Sequence, residues 1–592
     1  MSENTTDLAA LRAAAAQAEA EAAQARAEAA RAALEAAEAA ARDQARTPAD
    51  RTAAPPEPSE PAELSEHAAS IAAGYRPEGP WLPLGALVEN DEALGGVPIG
   101  IPLRSLNRHG LVAGATGTGK TRTLQLMAEG LSEAGVPVFV TDIKGDLTGL
   151  AVPGEASDRL LERTTSIGQD WAPTGYPVEF YNLGGIGHGV PIRTTITDFG
   201  PLLLAKVLDL NETQESALTL IVHWADSQGL ALLDLKDLRS VVSYLTSDEG
   251  KDELKDIGGI ATSTAGVILR ELSALEAQGG DVFFGEPAFD TADLLRSATD
   301  GRGTISALEL PDLQDRPAIF STFLMWLLAD LFGGLPEVGD PEKPKLVFFF
   351  DEAHLLFKGA SDAFTDQVIQ TVRLIRSKGV GIFFVTQTPT DVPDEVLAEL
   401  GSRVQHALRA HTPNDAKDLR ASVRTYPTSD YDLEALLTSL GTGEAVVTAL
   451  GEDGAPTPVA WTRLRAPRAA MDPAPETHIE QIVTASAGSA RYGTPLDRES
   501  AFEMLAARIV AEEVAAQEAA EKAADAAAQA EELEEMEARL RKEAEAARKA
   551  EERRAQETAR AGRSVLTSVL RTAGTTLARE VTRSLFGTRR RR

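Results

Sequence analysis

Residues 109–124 read HGLVAGATGTGKTRTL. Within them Gly114–Thr121, GATGTGKT, matches the phosphate-loop pattern G-x-x-x-x-G-K-[ST] in full. The preceding LVA is a short apolar run that suits a strand, and the following TRTLQLMAEGLSEAG suits a helix. The glycines let the backbone curl so that its N–H groups face a phosphate chain, and the new helix adds its positive dipole end. Gly114, Ala115, Thr116, Gly117, Thr118, Gly119, Lys120, Thr121 and Arg122 are therefore the expected nucleotide contacts. Lys120 is expected to reach the β- and γ-phosphates, and the Thr121 hydroxyl to hold Mg²⁺. ATP and Mg²⁺ are the cofactors this loop calls for.

A second element lies far downstream. Leu346–His354 reads LVFFFDEAH, a run of apolar residues ending in two acids. Ligands of open α/β sheets gather at the carboxyl ends of the strands, and two adjacent carboxylates there are costly to bury without a metal and a water to use them. Asp351 is the expected metal ligand and Glu352 the expected general base that polarises the attacking water. A third run, GVGIFFVTQTP at 379–389, ends in Thr386 and Gln387. Gln387 is placed to hydrogen-bond the γ-phosphate or to orient the water. Three phosphate-directed elements point to hydrolysis, not binding alone. The letters DEAH do not make a DEAH-box helicase: the acids lie beyond a long helical stretch, and the next strand carries VTQTP where that family has a SAT-type motif.

Four stretches together carry a resemblance: NRHGLVAGATGTGKTRTLQ, VTDIKGDLTGL, FFFDEAHLLF and RLIRSKGVGIFFVTQTPTDVPDEVLAELGSRVQHALRAHTP. The chain resembles the HerA/FtsK superfamily, and within it the YjgR-type HerA-like ATPases, over roughly residues 80–592. The C-terminal YGTPLDRESAFEML and RTAGTTLAREVTRSLFG fit that group too. The resemblance implies a RecA-like core assembled as a homo-oligomeric ring, usually a hexamer, whose best-known members translocate on double-stranded DNA. It also implies an arginine that reaches the nucleotide of the neighbouring subunit; by position after the acids that is Arg376 of RLIRSKG, with Arg373 in reserve. Asp142, Lys144 and Asp146 of TDIKGDLTG follow the second strand, either coupling nucleotide state to a loop or shaping a turn. One departure is plain. HerA helicases carry a barrel domain before the core, whereas residues 79–108 offer room for one or two strands. Partnership with a nuclease is in doubt on that account.

The rest of the chain sets limits. It has 592 residues and no cysteine, so disulfides, thiolate zinc sites and cysteine nucleophiles are excluded. MSENTTDLAALRAA lacks the pattern of a secretory signal, and the longest apolar segment, AIFSTFLMWLLADLFGG, is broken by Asp330 and reads as a buried helix. No integral membrane segment and a cytoplasmic location are expected. The formal net charge of −32 repels phosphate backbones on average, so contact with DNA has to be local, through a basic channel or tail. The same acidity, with long terminal helices, suits an ATP-driven motor or scaffold for protein partners.

The expected class is α/β: a RecA-like P-loop domain with a mainly parallel sheet at 110–114, 136–142, 177–182, 303–310, 345–351, 380–386, 403–409 and 444–449. Residues 1–46 read as an Ala-rich charged helix and 47–78 as a Pro-rich linker. The ATPase domain spans 79–470, with a helical insertion at about 195–300. Residues 471–560 form a charged helical extension, solitary or coiled-coil, with ion pairs Glu535–Arg539, Glu537–Arg541 and Glu545–Lys549 and a narrow stripe of Leu533, Met536 and Leu540. Residues 561–592 form a basic amphipathic tail suited to packing on the core, or to an anionic membrane or DNA.

Overall fold

Leu346–Phe350, LVFFF, is buried at every position. Side chains alternate faces along a strand, so a strand apolar on both faces belongs in the middle of a covered sheet. The computed structural model describes residues 64–560 apart from 77, 256–257, 312–315, 358–361 and 452–453. The expected N-terminal helix, the Pro-rich part of the linker and the basic tail lie outside these residues. Two units separate at Ala73/Gly74. In the first, a helix, α1 (Glu66–Gly74), stands in the stretch read as linker.

The second unit is built on twelve strands. In chain order they are β1 (Trp81–Glu89), β2 (Glu92–Pro102), β3 (Gly110–Ala113), β4 (Val138–Asp142), β5 (Val178–Leu183), β6 (Val190–Ile192), β7 (Ile305–Glu309), β8 (Leu346–Phe350), β9 (Val380–Thr386), β10 (Ser402–Gln405), β11 (Glu444–Thr448) and β12 (Ala460–Leu464). Their spatial order is β2-β1-β12-β11-β10-β3-β9-β8-β4-β7-β5-β6. From β10 to β6 every pairing is parallel. From β10 to β2 every pairing is antiparallel. All eight expected strands are present. The stretch before the phosphate loop supplies β1 and β2, which are sewn to the sheet through β12.

Helices cover the sheet. α2 (Lys120–Glu133) follows β3, and α3 (Asp158–Ser166) follows β4. The expected insertion is there: α4 (Glu212–Ser227), α5 (Leu235–Thr246) and α6 (Thr262–Leu275) lie between β6 and β7. α4 and α5 each begin with a reciprocal capping box, Asn211 with Gln214 and Asp234 with Asp237. The apolar segment read as buried is α7 (Pro317–Gly334), with Phe323, Leu324 and Leu327 fully buried. α8 (Asp362–Ile375) packs before β9. The chain then runs into α9 (Ala501–Arg560), a helix of 60 residues. Its first turns are anchored: Ala501 and Leu505 are buried, and the buried Asp237 carboxylate accepts from the Phe502 N–H at 3.0 Å and from the Ser500 hydroxyl. Among the described residues no helix is long and apolar enough to cross a membrane.

Candidate nucleotide site

β3, β9, β8 and β4 are consecutive and parallel, so their carboxyl ends meet along one edge. The phosphate loop leaves β3. Gly117 (φ +81°) and Gly119 (φ +114°) take left-handed conformations that side chains rarely adopt. Gly119 is also the N-cap of α2 and carries no capping side chain, so the first N–H groups of that helix open into the loop. Neighbouring strands hold the loop from outside. Gly114 N donates to Thr386 O (3.2 Å), Ala115 N to Ala407 O (2.8 Å) and Gly443 N to Thr118 O (3.0 Å). Thr116 and Gly117 at the tip are exposed, and Thr121 is half-buried.

Lys120 is buried and turns back on the loop, its Nζ donating to Gly114 O (2.7 Å) and Ala115 O (3.3 Å). Burial pushes its pKa down, and the charges of Glu352 and Asp351 pull it back up. Those two carboxylates, at the end of β8, act on the lysine through their charge. Arg122 lies beside the loop, half-buried, donating to Gln125 Oε1 at 2.9 Å.

The acid pair is split. Asp351 is buried, its N–H donates to Thr141 Oγ1 (3.0 Å), and its Oδ2 has no partner. Burial, reinforced by the charge of Glu352, raises its pKa to about 7. A buried carboxylate oxygen with no protein partner, next to a loop of open N–H groups, is a site that fits a divalent cation better than a bare side chain. Glu352 sits in a left-handed conformation (φ +48°) and is ion-paired with Lys144. Burial alone would raise its pKa, but the hydrogen bond and charge of Lys144 outweigh it, and the net shift is downward. His354 Nδ1 lies 3.2 Å from Glu352 Oε2, without hydrogen-bond alignment.

Gln387 is exposed at the end of β9, between the loop strand and the acid strand. Arg376 is elsewhere. It precedes β9, at the opposite edge of the sheet from the loop, and pairs with Asp340 at 3.3 Å. Arg373 pairs with Glu399 at 2.8 Å. The structure thus gathers the loop residues, Asp351, Glu352 and Gln387 along one edge and leaves Arg376 apart.

Of the three residues after β4, Asp142 shapes the turn. Its carboxylate accepts from the backbone of Lys144 (3.2 Å), Gly145 (2.7 Å), Asp146 (3.2 Å) and Leu147 (2.7 Å). Lys144, carried by that turn, neutralises Glu352. Sequence reasoning placed it near the site without foreseeing this pair. It missed two further residues. Arg409 donates to Thr116 O (3.1 Å), and His406 lies beneath the loop with Nε2 2.9 Å from Thr123 Oγ1. Burial first, then the charge of Lys120, lowers the His406 pKa to about 4, so it is a neutral prop. Both follow β10, which pairs with β3; a polar residue just past any strand beside the loop strand was the available signal.

Residues 88–592 match the family model described as Helicase HerA-like C-terminal. A curated relative, the DNA double-strand break repair helicase HerA of Sulfurisphaera tokodaii, is 24% identical over 369 residues. That match covers 62% of this chain and 66% of the relative, just under two thirds of its length. Similar solved structures include the bacterial conjugative coupling protein TrwB lacking its N-terminal segment (16% identity, 68% of this chain and 94% of that one, TM-score 0.46). VirB4 of Thermoanaerobacter pseudethanolicus is another (16% identity, 66% and 97%, TM-score 0.42). With a complete phosphate loop, an acid pair at the same sheet edge and a family match over most of its length, the chain carries a P-loop nucleotide site, and it belongs to the helicase HerA-like C-terminal family.

Proposed function

We propose that this ATPase is a DNA-dependent motor: a homo-oligomeric ring, a hexamer, that couples ATP hydrolysis to movement on duplex DNA. The observation that carries hydrolysis is the arrangement at one sheet edge of an open phosphate loop on β3 and a split acid pair on β8. The observation that carries DNA is family membership, with a curated relative named as a DNA repair helicase.

In this reading the loop backbone from Gly114 to Thr121 cradles the phosphates, Arg122 supports them, and Lys120 leaves its own carbonyls to pair with them. Thr121 and Asp351 hold Mg²⁺, which neutralises charge on the phosphates when bound. Glu352, ionised, accepts a proton from the attacking water; Lys144 has to release it first, since a carboxylate held by an ammonium is a weaker base. Gln387 orients the water. Arg376, far from its own loop, serves the nucleotide of an adjacent subunit, while Arg409 braces its own loop. DNA contact is confined to a local basic surface, because the chain as a whole is strongly acidic.

The test is binding of duplex DNA by Glu352→Gln, which is expected to hold ATP without hydrolysing it. Fluorescence anisotropy at low salt should show ATP-dependent binding that falls steeply as salt rises. Absence of binding under all nucleotide conditions contradicts the DNA assignment. The net charge of −32 favours a second reading, a motor acting on protein partners. It is supported if a protein partner changes ATP turnover while DNA leaves it unchanged.

A further inference from the structure

Beyond its first turns α9 leaves the body of the protein. Val510, Val514, Leu533, Met536 and Leu540 are exposed large apolar residues on it. At 1.5 Å per residue, 60 residues extend about 90 Å. Leu533, Met536 and Leu540 recur at spacings of three and four; along the same heptad stripe Ala519, Ala526, Ala547 and Ala550 are interleaved with Lys522, Gln529 and Glu543. This is a short apolar contact at the centre of a stripe that mixes alanine with polar residues on either side, wide enough for one other helix.

The charges along α9 decide what that helix is. Between Val510 and Glu532 there are seven carboxylates and one lysine, a net charge of −6. Between Arg541 and Arg560 there are seven basic residues and five acidic ones, a net charge of +2. The apolar triplet lies between the halves. Helix axes in such pairs are 8–10 Å apart, within about one Debye length at physiological salt, so the facing halves feel each other's charge. A parallel pair of identical helices sets −6 against −6. An antiparallel pair sets −6 against +2 on both sides of the triplet and brings Leu533 and Met536 of the two triplets together.

We propose that α9 docks on α9 of a second copy of this chain, antiparallel, with Leu533 packed on Met536 of the partner helix and the reverse. Such a contact is two-fold and self-complementary, unlike the head-to-tail contacts that close a ring, so it joins copies in pairs independently of ring formation. In this register Ala519 meets Ala550 of the other copy.

The absence of cysteine from the chain makes the test clean. Full-length Ala519→Cys and Ala550→Cys variants are expressed singly and together and oxidised. Coexpression should give a disulfide-linked dimer, and neither variant alone should. Adding Leu533→Glu and Leu540→Glu to both chains should abolish the dimer while Lys120-dependent ATP turnover stays at its starting value. Dimers from each variant alone would show a parallel pair and overturn the proposal. So would a coexpressed pair that does not cross-link, or one whose cross-linking survives the glutamates.

Discussion

Glu352 is where residue chemistry is most exposed to test. Its replacement by glutamine keeps shape and removes the base, so ATP turnover should fall roughly 10²–10⁴-fold with little change in nucleotide affinity. A matched fall in affinity would make Glu352 a binding residue instead. A second carboxylate carries a pH signature. Glu309 at the end of β7 is buried with Oε1 unpartnered, and burial, with Asp142 and Asp146 nearby, raises its pKa to about 9. A raised carboxylate pKa means the folded state holds a proton that the unfolded state releases. The stability this contributes is whole below about pH 4.5 and is lost as pH rises through about 9. The melting temperature of Glu309→Gln should therefore fall less than that of the parent between pH 6 and pH 9; parallel curves would contradict the assignment. The sequence made the loop and the acid pair legible because each is contiguous. Lys144 against Glu352, His406 against Thr123 and Arg409 against Thr116 were not, because each joins segments hundreds of residues apart through sheet order alone.

Elements followed the same logic. β8 and β9 could be read directly, since buried parallel strands are continuous apolar runs. β1 contains Pro83 and Gly85, β6 has three residues and β12 is the short mixed run AWTRL, so none announces itself as a strand; each depends on a neighbour for definition. The root of α9 depends on Asp237 in the same way. That buried carboxylate accepts from Leu233 N (2.8 Å), Asp234 N (3.1 Å), Phe502 N and Ser500 Oγ, tying the insertion to the last helix. Asp237→Ala strips several donors of their acceptor and should lower stability by about 1–3 kcal/mol or more, measured by chemical denaturation. It should also expose the 496–505 segment to limited proteolysis; unchanged protease resistance would mean the anchor is elsewhere. Of the three ion pairs expected along α9, Glu537–Arg541 (3.5 Å) and Glu545–Lys549 (3.8 Å) are present. Exposed pairs of this kind add a few tenths of a kcal/mol each and give the helix solubility more than stability.

At the scale of the molecule, a wide parallel sheet places every phosphate-directed group on one edge, while Arg376 stands at the other. A subunit built this way has its chemistry on one side and a candidate partner-facing arginine on another, which suits an assembly in which neighbours complete each other's sites. Arg376→Ala should then reduce turnover in the assembled protein and leave ATP binding to a single subunit intact; equal loss of both would place the arginine in a structural role. The net charge of −32 works against DNA, and only a local surface can overcome it. The decisive measurement is steady-state ATP hydrolysis by the full-length protein at low salt, with and without double-stranded DNA, with Glu352→Gln as the control. Duplex DNA should stimulate hydrolysis, rising salt should return it to its basal rate, and the glutamine variant should lack it. Hydrolysis indifferent to DNA at every salt concentration would contradict the DNA motor.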